Sequence, residues 1–268
     1  MLSFFHHFEP QALFFSLGWL NFYWYGLILV LGIISAIAIS RCFWKKEKLP
    51  IAIFDDLSFW LIIGGLAGAR IYEWFLNYRY YSTHLSELLK IWHGGLAIHG
   101  AILGAFFVLL FFSRKYHLKP RKIAATVIPG LAIGQAIGRW GNYFNQELFG
   151  LPSNVPWSIF ISPQNRPFAY ISFEYFHPTF LYESLACLLL FFLLLSLKRS
   201  HKNEDEIIIA VYLIGYALIR FFLEYLRIDQ TPELFGLRWP QIASLFMFFI
   251  GGLLLYQNNY KKYHEKAN

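Results

Sequence analysis

Residues 19–40 read WLNFYWYGLILVLGIISAIAIS and contain no charged side chain. A bilayer core is crossed by about 20 predominantly apolar residues in a helix, so this stretch has the length and composition of a membrane span. Six further stretches have the same character, at 51–76, 96–113, 123–139, 178–197, 207–226 and 240–256. The chain of 268 residues is 57% hydrophobic, 21% aromatic and only 15% charged, whereas roughly a quarter of the residues in an ordinary soluble domain are charged. The expected class is an all-α polytopic integral membrane protein with about seven transmembrane helices. The fourth stretch is the least helix-like, because Pro129, Gly130, Gly134, Gly138 and Gly141 interrupt it, although small residues also serve close helix packing in membranes.

Cations set the expected orientation, since Lys and Arg near span ends stay on the cytoplasmic side. Of the 23 Lys and Arg, fifteen fall on one side: Arg41, Lys45, Lys46 and Lys48; Arg114, Lys115, Lys119, Arg121 and Lys122; Lys198, Arg199 and Lys202; Lys261, Lys262 and Lys266. The other side holds Arg79, Lys90, Arg139, Arg166, Arg227 and Arg238, with Arg70 and Arg220 inside spans. Seven spans then place the N-terminus outside and the C-terminus in the cytoplasm. The net charge of +7 is accounted for by this asymmetry, so no nucleic-acid partner is expected.

The first 18 residues hold His6, His7 and Glu9 but no Lys or Arg, so the cationic start of a cleavable signal peptide is missing. The two cysteines, Cys42 near a basic cluster and Cys187 inside a span, make neither a disulfide frame nor a thiolate metal site. With no fixed-period repeat, residues 1–268 read as one membrane domain. Its longest polar excursion, 140–177, forms an outer, periplasmic head between spans four and five, in which the alternating tract 169–175 is expected to pair as a strand or hairpin.

Polar residues inside such a chain are costly and mark functional sites. Residues 138–150 read GRWGNYFNQELFG, setting a guanidinium, amides and a carboxylate between glycines. In the sixth span, Tyr216, Arg220, Glu224 and Arg227 recur at i, i+4, i+8 and i+11 and are expected on one helix face. An ion pair alone needs only Arg220 and Glu224; the second arginine points to a polyanionic ligand, which a planar guanidinium fork grips through two oxygens. If that ligand is a phospholipid headgroup, Arg139 and Arg220 are the leading pair to hold its phosphate, with Asn142 and Glu147 either bonding glycerol hydroxyls or bracing Arg139. His99, in HGGLAIHG at 93–100, is a candidate general base or a packing histidine. His93 and His99 lack the spacing of a zinc-protease helix, and no Gly-x-Ser-x-Gly elbow occurs, so no metal is expected. Tyr25 is either an interfacial belt residue or part of the site. Glu183 is expected to brace a neighbouring arginine, Arg70 and Glu73 to form an internal ion pair, and Asp55 and Asp56 to be solvated.

Taken together, GRWGNYFNQE, WYG at 24–26, HGGLAIHG at 93–100, HPTFLYE at 177–183 and RFFLEYLR at 220–227 make the chain resemble the bacterial prolipoprotein diacylglyceryl transferases over about residues 19–256. The resemblance implies a multi-pass enzyme of the bacterial cytoplasmic (inner) membrane that moves the diacylglyceryl group of phosphatidylglycerol onto the lipobox cysteine of a preprolipoprotein signal peptide. A thioether would form and glycerol 1-phosphate would leave, without a cofactor. It implies that His99, Arg139 and Arg220 are catalytic, and that Tyr25, Asn142, Glu147, Tyr216, Glu224 and Arg227 line the substrate site. The chain departs from the family pattern at Gln146 and Ala101, where glycines are expected. The competing class, a transporter or channel for an anionic solute or lipid, predicts an inverted repeat, and none is seen in the sequence.

Overall fold

The computed structural model describes residues 6, 8–90, 94–200 and 204–267. His7, Trp92, His93 and Lys202 lie outside the described residues, as do the side chains of Lys261, Lys262 and Lys266. Helices dominate: α1 (Trp24–Lys46), α2 (Ile51–Leu76), the single turn α3 (Tyr78–Tyr81), α4 (Ile98–Lys115), α5 (Pro120–Phe144), α6 (Thr179–Ser200), α7 (Asp205–Leu223) and α8 (Trp239–Ala267). Among the described residues, three two-stranded antiparallel pairs punctuate them: β1 (Leu13–Leu17) with β2 (Leu20–Tyr23), β3 (Ile159–Phe160) with β4 (Tyr175–Phe176), and β5 (Glu233–Leu234) with β6 (Leu237–Arg238). Among the described residues, six helices are long and apolar enough to cross a membrane: α1, α2, α4, α6, α7 and the Trp239–Tyr260 part of α8. The protein is therefore an all-α polytopic membrane protein. Helix α5 has comparable length, but Arg121, Lys122, Gln135, Arg139 and Asn142 lower its hydropathy.

The chain forms two compact units, one of Met1–Ser40 with Val127–Asn268 and the other of Arg41–Thr126. In the first, α5 stays helical through Pro129, and its glycine face lies against α1. A Cβ at Gly130 would collide with the Ala36 carbonyl and the Ser40 hydroxyl of α1, so the glycines that weaken the helix locally let the two backbones touch. The expected first span loses its start: residues 20–23 pair as β2, after a turn in which Gly18 takes φ +60°, and the helix begins only at Trp24.

Between α5 and α6 lies the head. Its core gathers Tyr143, Phe149, Ile159, Ile161, Phe176 and Phe180, each buried ring or branched chain worth about 1.5–3 kcal/mol. The alternating tract at 169–175 does not become a strand along its length. Phe168–Tyr170 forms a 3-10 turn, and only Tyr175 enters β4, where it faces Phe160.

In the second unit, α2 and α4 cross through glycines: a Cβ at Gly100 would meet the Gly68 carbonyl. The start of α4 is docked on the same helix by a bond from the Ala97 N–H to the Ala69 carbonyl at 3.3 Å. Arg70, buried in this unit, does not pair with Glu73. Its guanidinium donates to the carbonyls of Glu87, Leu88, Lys90, Gly94 and Gly95, while Glu73 accepts from Asn77. Asp55, expected to be solvated, stands half in solvent and pairs with Arg41 at 2.9 Å.

Candidate functional site

The first unit brings four arginines from three segments onto three carboxylates. Glu183, in the first turns of α6, is only 2% exposed, and an isolated carboxylate at that depth would be strongly destabilising. Arg139 of α5 approaches its Oε1 at 2.9 Å, while Arg220 and Arg227 approach Oε2 at 3.6 and 3.9 Å. The Tyr216 hydroxyl donates to Glu183 Oε1 at 3.4 Å. Glu224, equally buried, takes Arg220 at 3.0 Å and Arg238 at 3.2 Å. Asp229 completes the set, with Arg227 at 2.9 Å and Arg238 at 3.9 Å. Burial works to raise the Asp229 carboxyl, but hydrogen bonding and charge from Arg227, then charge from Arg238, hold it below its ordinary value.

Four guanidiniums on three carboxylates leave positive charge over. Arg220 Nη1 is buried and makes only the 3.6 Å ion pair with Glu183, without a hydrogen bond, as Glu224 Oε1 makes only the 3.2 Å ion pair with Arg238. A buried donor left open is rare and indicates a ligand oxygen or ordered water. The arrangement therefore holds its arginines in place with carboxylates and retains the capacity to bind an anion.

Arg139 is oriented from its other side as well. Its Nη1 faces Asn142 Oδ1 at 3.4 Å, and the Asn142 amide donates to Glu147 Oε1 at 2.8 Å. Asn142 and Glu147 thus extend the network in the bracing arrangement. The turn that carries Glu147 places Gln146 at φ +50° and Leu148 at φ +55°, a region that favours glycine, which gives physical sense to the glycine expected at 146. Gln146 tolerates it because its buried amide donates to the Pro10 carbonyl at 2.9 Å and accepts from Ser162 N–H at 2.7 Å and Asn165 at 3.2 Å. Tyr25, second residue of α1, lies against Gly141, where an added Cβ would stand 2.8 Å from its ring.

The sixth span corrects one expectation. Helix α7 ends at Leu223 with Glu224 as its C-cap, so Arg227 is not on the helix face. It arrives through a turn and a bridge to Gly150, held by Leu151 N–H on the Leu226 carbonyl at 2.8 Å. Sequence reasoning counted Arg238 only as an outer cation and passed over Asp229. Arg238 ties this loop together, donating to the carbonyls of Glu224 and Arg227, each at 3.0 Å, to the carbonyl of Asp229, and to the Thr231 hydroxyl at 2.9 Å. The available signal was its position just ahead of the last span. Glu183, expected as a brace, is the hub.

His99 belongs to the other unit, as second residue of α4, with its ring centroid 5.9 Å from that of Tyr72. His177, ahead of α6, shares a hydrogen bond of 3.1 Å with the Tyr182 hydroxyl, and partial burial pulls its imidazole below the ordinary 6.5.

A sequence model of the prolipoprotein diacylglyceryl transferases matches residues 12–257. The chain is 41% identical to the phosphatidylglycerol–prolipoprotein diacylglyceryl transferase of Synechococcus elongatus, over 91% of this chain and 86% of that protein. To the proteins of the same description from Synechocystis sp. and Prochlorococcus marinus it is 37% and 35% identical, over 98% and 97% of this chain and 96% of each relative.

Proposed function

Because this chain belongs to the prolipoprotein diacylglyceryl transferase family, we propose that it transfers the diacylglyceryl group of phosphatidylglycerol to the lipobox cysteine of a preprolipoprotein signal peptide. The observation that carries the reading is the partly buried cluster of Arg139, Arg220, Arg227 and Arg238, which outnumbers the carboxylates of Glu183, Glu224 and Asp229. The reaction releases a phosphate monoester, and its charge develops as the bond breaks. Donors already in place for that charge favour the transition state over the ground state.

In this reading the cysteine thiolate attacks the glycerol carbon that bears the phosphate ester. The C–S bond forms, the C–O bond breaks, and the electron pair leaves with glycerol 1-phosphate. Arg139 and Arg220 grip the phosphate, with the open Nη1 of Arg220 bonding a phosphate oxygen. Arg227 shares the load, Glu183 and Glu224 keep the forks aimed, and Tyr216 holds Glu183. Asn142 and Glu147 orient Arg139 and, with Tyr25, contact the glycerol. His99 accepts the thiol proton. With α5 as the seventh crossing, the positive-inside bias sets the N-terminus outside and the C-terminus in the cytoplasm, so that the cluster works at the outer leaflet of the bacterial inner membrane.

Purified protein in vesicles of phosphatidylglycerol, given a lipobox peptide, is expected to yield thioether-linked peptide and glycerol 1-phosphate in equal amounts. Neither product, or phosphate release without the thioether, overturns the reading.

A further inference from the structure

The hairpin of β5 and β6 breaks a local rule. Its two turn residues, Phe235 and Gly236, have φ +53° and +75°. Such a turn is filled at least cost by Asn-Gly, and a bulky residue in the left-handed region is strained. No packing contact among the described residues offsets that strain. Phe235 is 94% exposed and its neighbour Leu234 is 47% exposed, so folding of this chain does not explain an aromatic ring here.

Position supplies the explanation. β6 ends at Arg238, and the membrane helix α8 begins at the next residue, Trp239, itself half exposed. The tip therefore stands within a few residues of the boundary between hydrocarbon and headgroups, where exposed aromatic rings are stabilised. The first hairpin repeats the arrangement. Its turn contains Gly18 at φ +60°, Trp19 at the tip is 88% exposed, and β2 runs directly into α1 at Trp24.

What distinguishes the Phe235 hairpin is its root. Arg238 binds the Glu224 carboxylate and the backbone carbonyls of Glu224, Arg227 and Asp229. We infer that residues 233–238 form an anchor that seats Phe235 in the lipid interface and, through Arg238 as a positioning residue, keeps Glu224 and Arg227 in register. The anchoring half stands by itself. The positioning half rests on the arginine cluster being the reaction site.

Both halves are tested on full-length protein in phosphatidylglycerol vesicles. In a Cys42→Ser background, which leaves only the buried Cys187, Phe235→Cys is labelled with an environment-sensitive dye. Quenching by lipids spin-labelled near the headgroup, with shielding from aqueous iodide, is expected; free access of iodide without lipid quenching overturns the anchor. For the positioning half, Phe235→Ser should lower kcat by about fivefold with little change in KM, while Phe235→Trp matches the parent. Equal losses in both variants, or no loss in Phe235→Ser, overturn it. Should the parent protein form no thioether, the proposed reaction fails, and the labelling result still decides the anchor.

Discussion

Two arginines in this protein, Arg70 buried and Arg220 partly buried, are satisfied in opposite ways. Arg70 is surrounded by the backbone carbonyls of Glu87, Leu88, Lys90, Gly94 and Gly95, neutral acceptors that use up its donors, and it has no carboxylate partner among the described residues. Arg220 is held by Glu183 and Glu224, yet keeps one nitrogen without a hydrogen bond. Arg70 closes a loop, whereas Arg220 is aimed and left incomplete. A buried arginine is therefore read by what saturates it: carbonyls make it a structural clamp, and carboxylates that leave a donor open make it a receptor for another anion.

The sharpest way to break that contrast is to treat Arg220 as a structural residue. If it only neutralised Glu224, Arg220→Gln combined with Glu224→Gln would recover activity lost in Arg220→Gln, because no buried charge would remain unpaired. We expect the single and double variants to reach normal membrane levels and to stay about 1000-fold down in thioether formation, since the lost transition-state contact is not restored. Recovery in the double variant would identify the pair as a brace. Arg139→Lys keeps the charge but not the fork, and about a 100-fold fall in kcat/KM is expected; turnover near that of the parent would remove the clamp.

His99 tests whether the unit containing Arg70 supplies chemistry. His99→Gln should leave phosphatidylglycerol binding intact and lower kcat by about 10- to 100-fold. A kcat equal to that of the parent would move the proton acceptor elsewhere. Arg70→Gln should act on stability, costing about 3 kcal/mol as its carbonyls lose their donors, with activity per folded molecule kept within about twofold. Thermal unfolding of the purified protein measures the first, and a loss of specific activity far exceeding the loss of folded protein would make Arg70 part of the site.

The smallest effect concerns Asp229. Its carboxyl is held below its ordinary 3.8, so it contributes stability that is present above that value and is lost as pH falls through the lower folded-state value. Asp229→Asn should therefore lower stability near neutrality, where that contribution is fully present, and flatten the acid limb below about pH 4. An acid limb identical to that of the parent would place the titrating group elsewhere.

Much of this was legible along the chain. The apolar runs announced the spans, and a carboxylate at 183 inside one of them announced a buried partner. The pairing itself was not legible, because Glu183 meets Arg139, Arg220 and Arg227 only after α5, α6 and the turn beyond α7 converge. Arg227 was misplaced because helical spacing was extended past Leu223, where the backbone turns. The start of α1 was misplaced for a related reason: residues 20–23 are apolar enough for a helix, but β1 offers them backbone partners.

By itself, the sequence determined the membrane class and the identity of Arg139, Arg220, Asn142 and Glu147 as residues to watch. Hydropathy is a property of local composition, and a charge in an apolar run is costly wherever the run is placed. Tertiary structure alone decided which arginine is saturated and which is left open. That depends on distances of a few ångströms between residues far apart in the chain, and on carbonyls whose availability is set by backbone conformation.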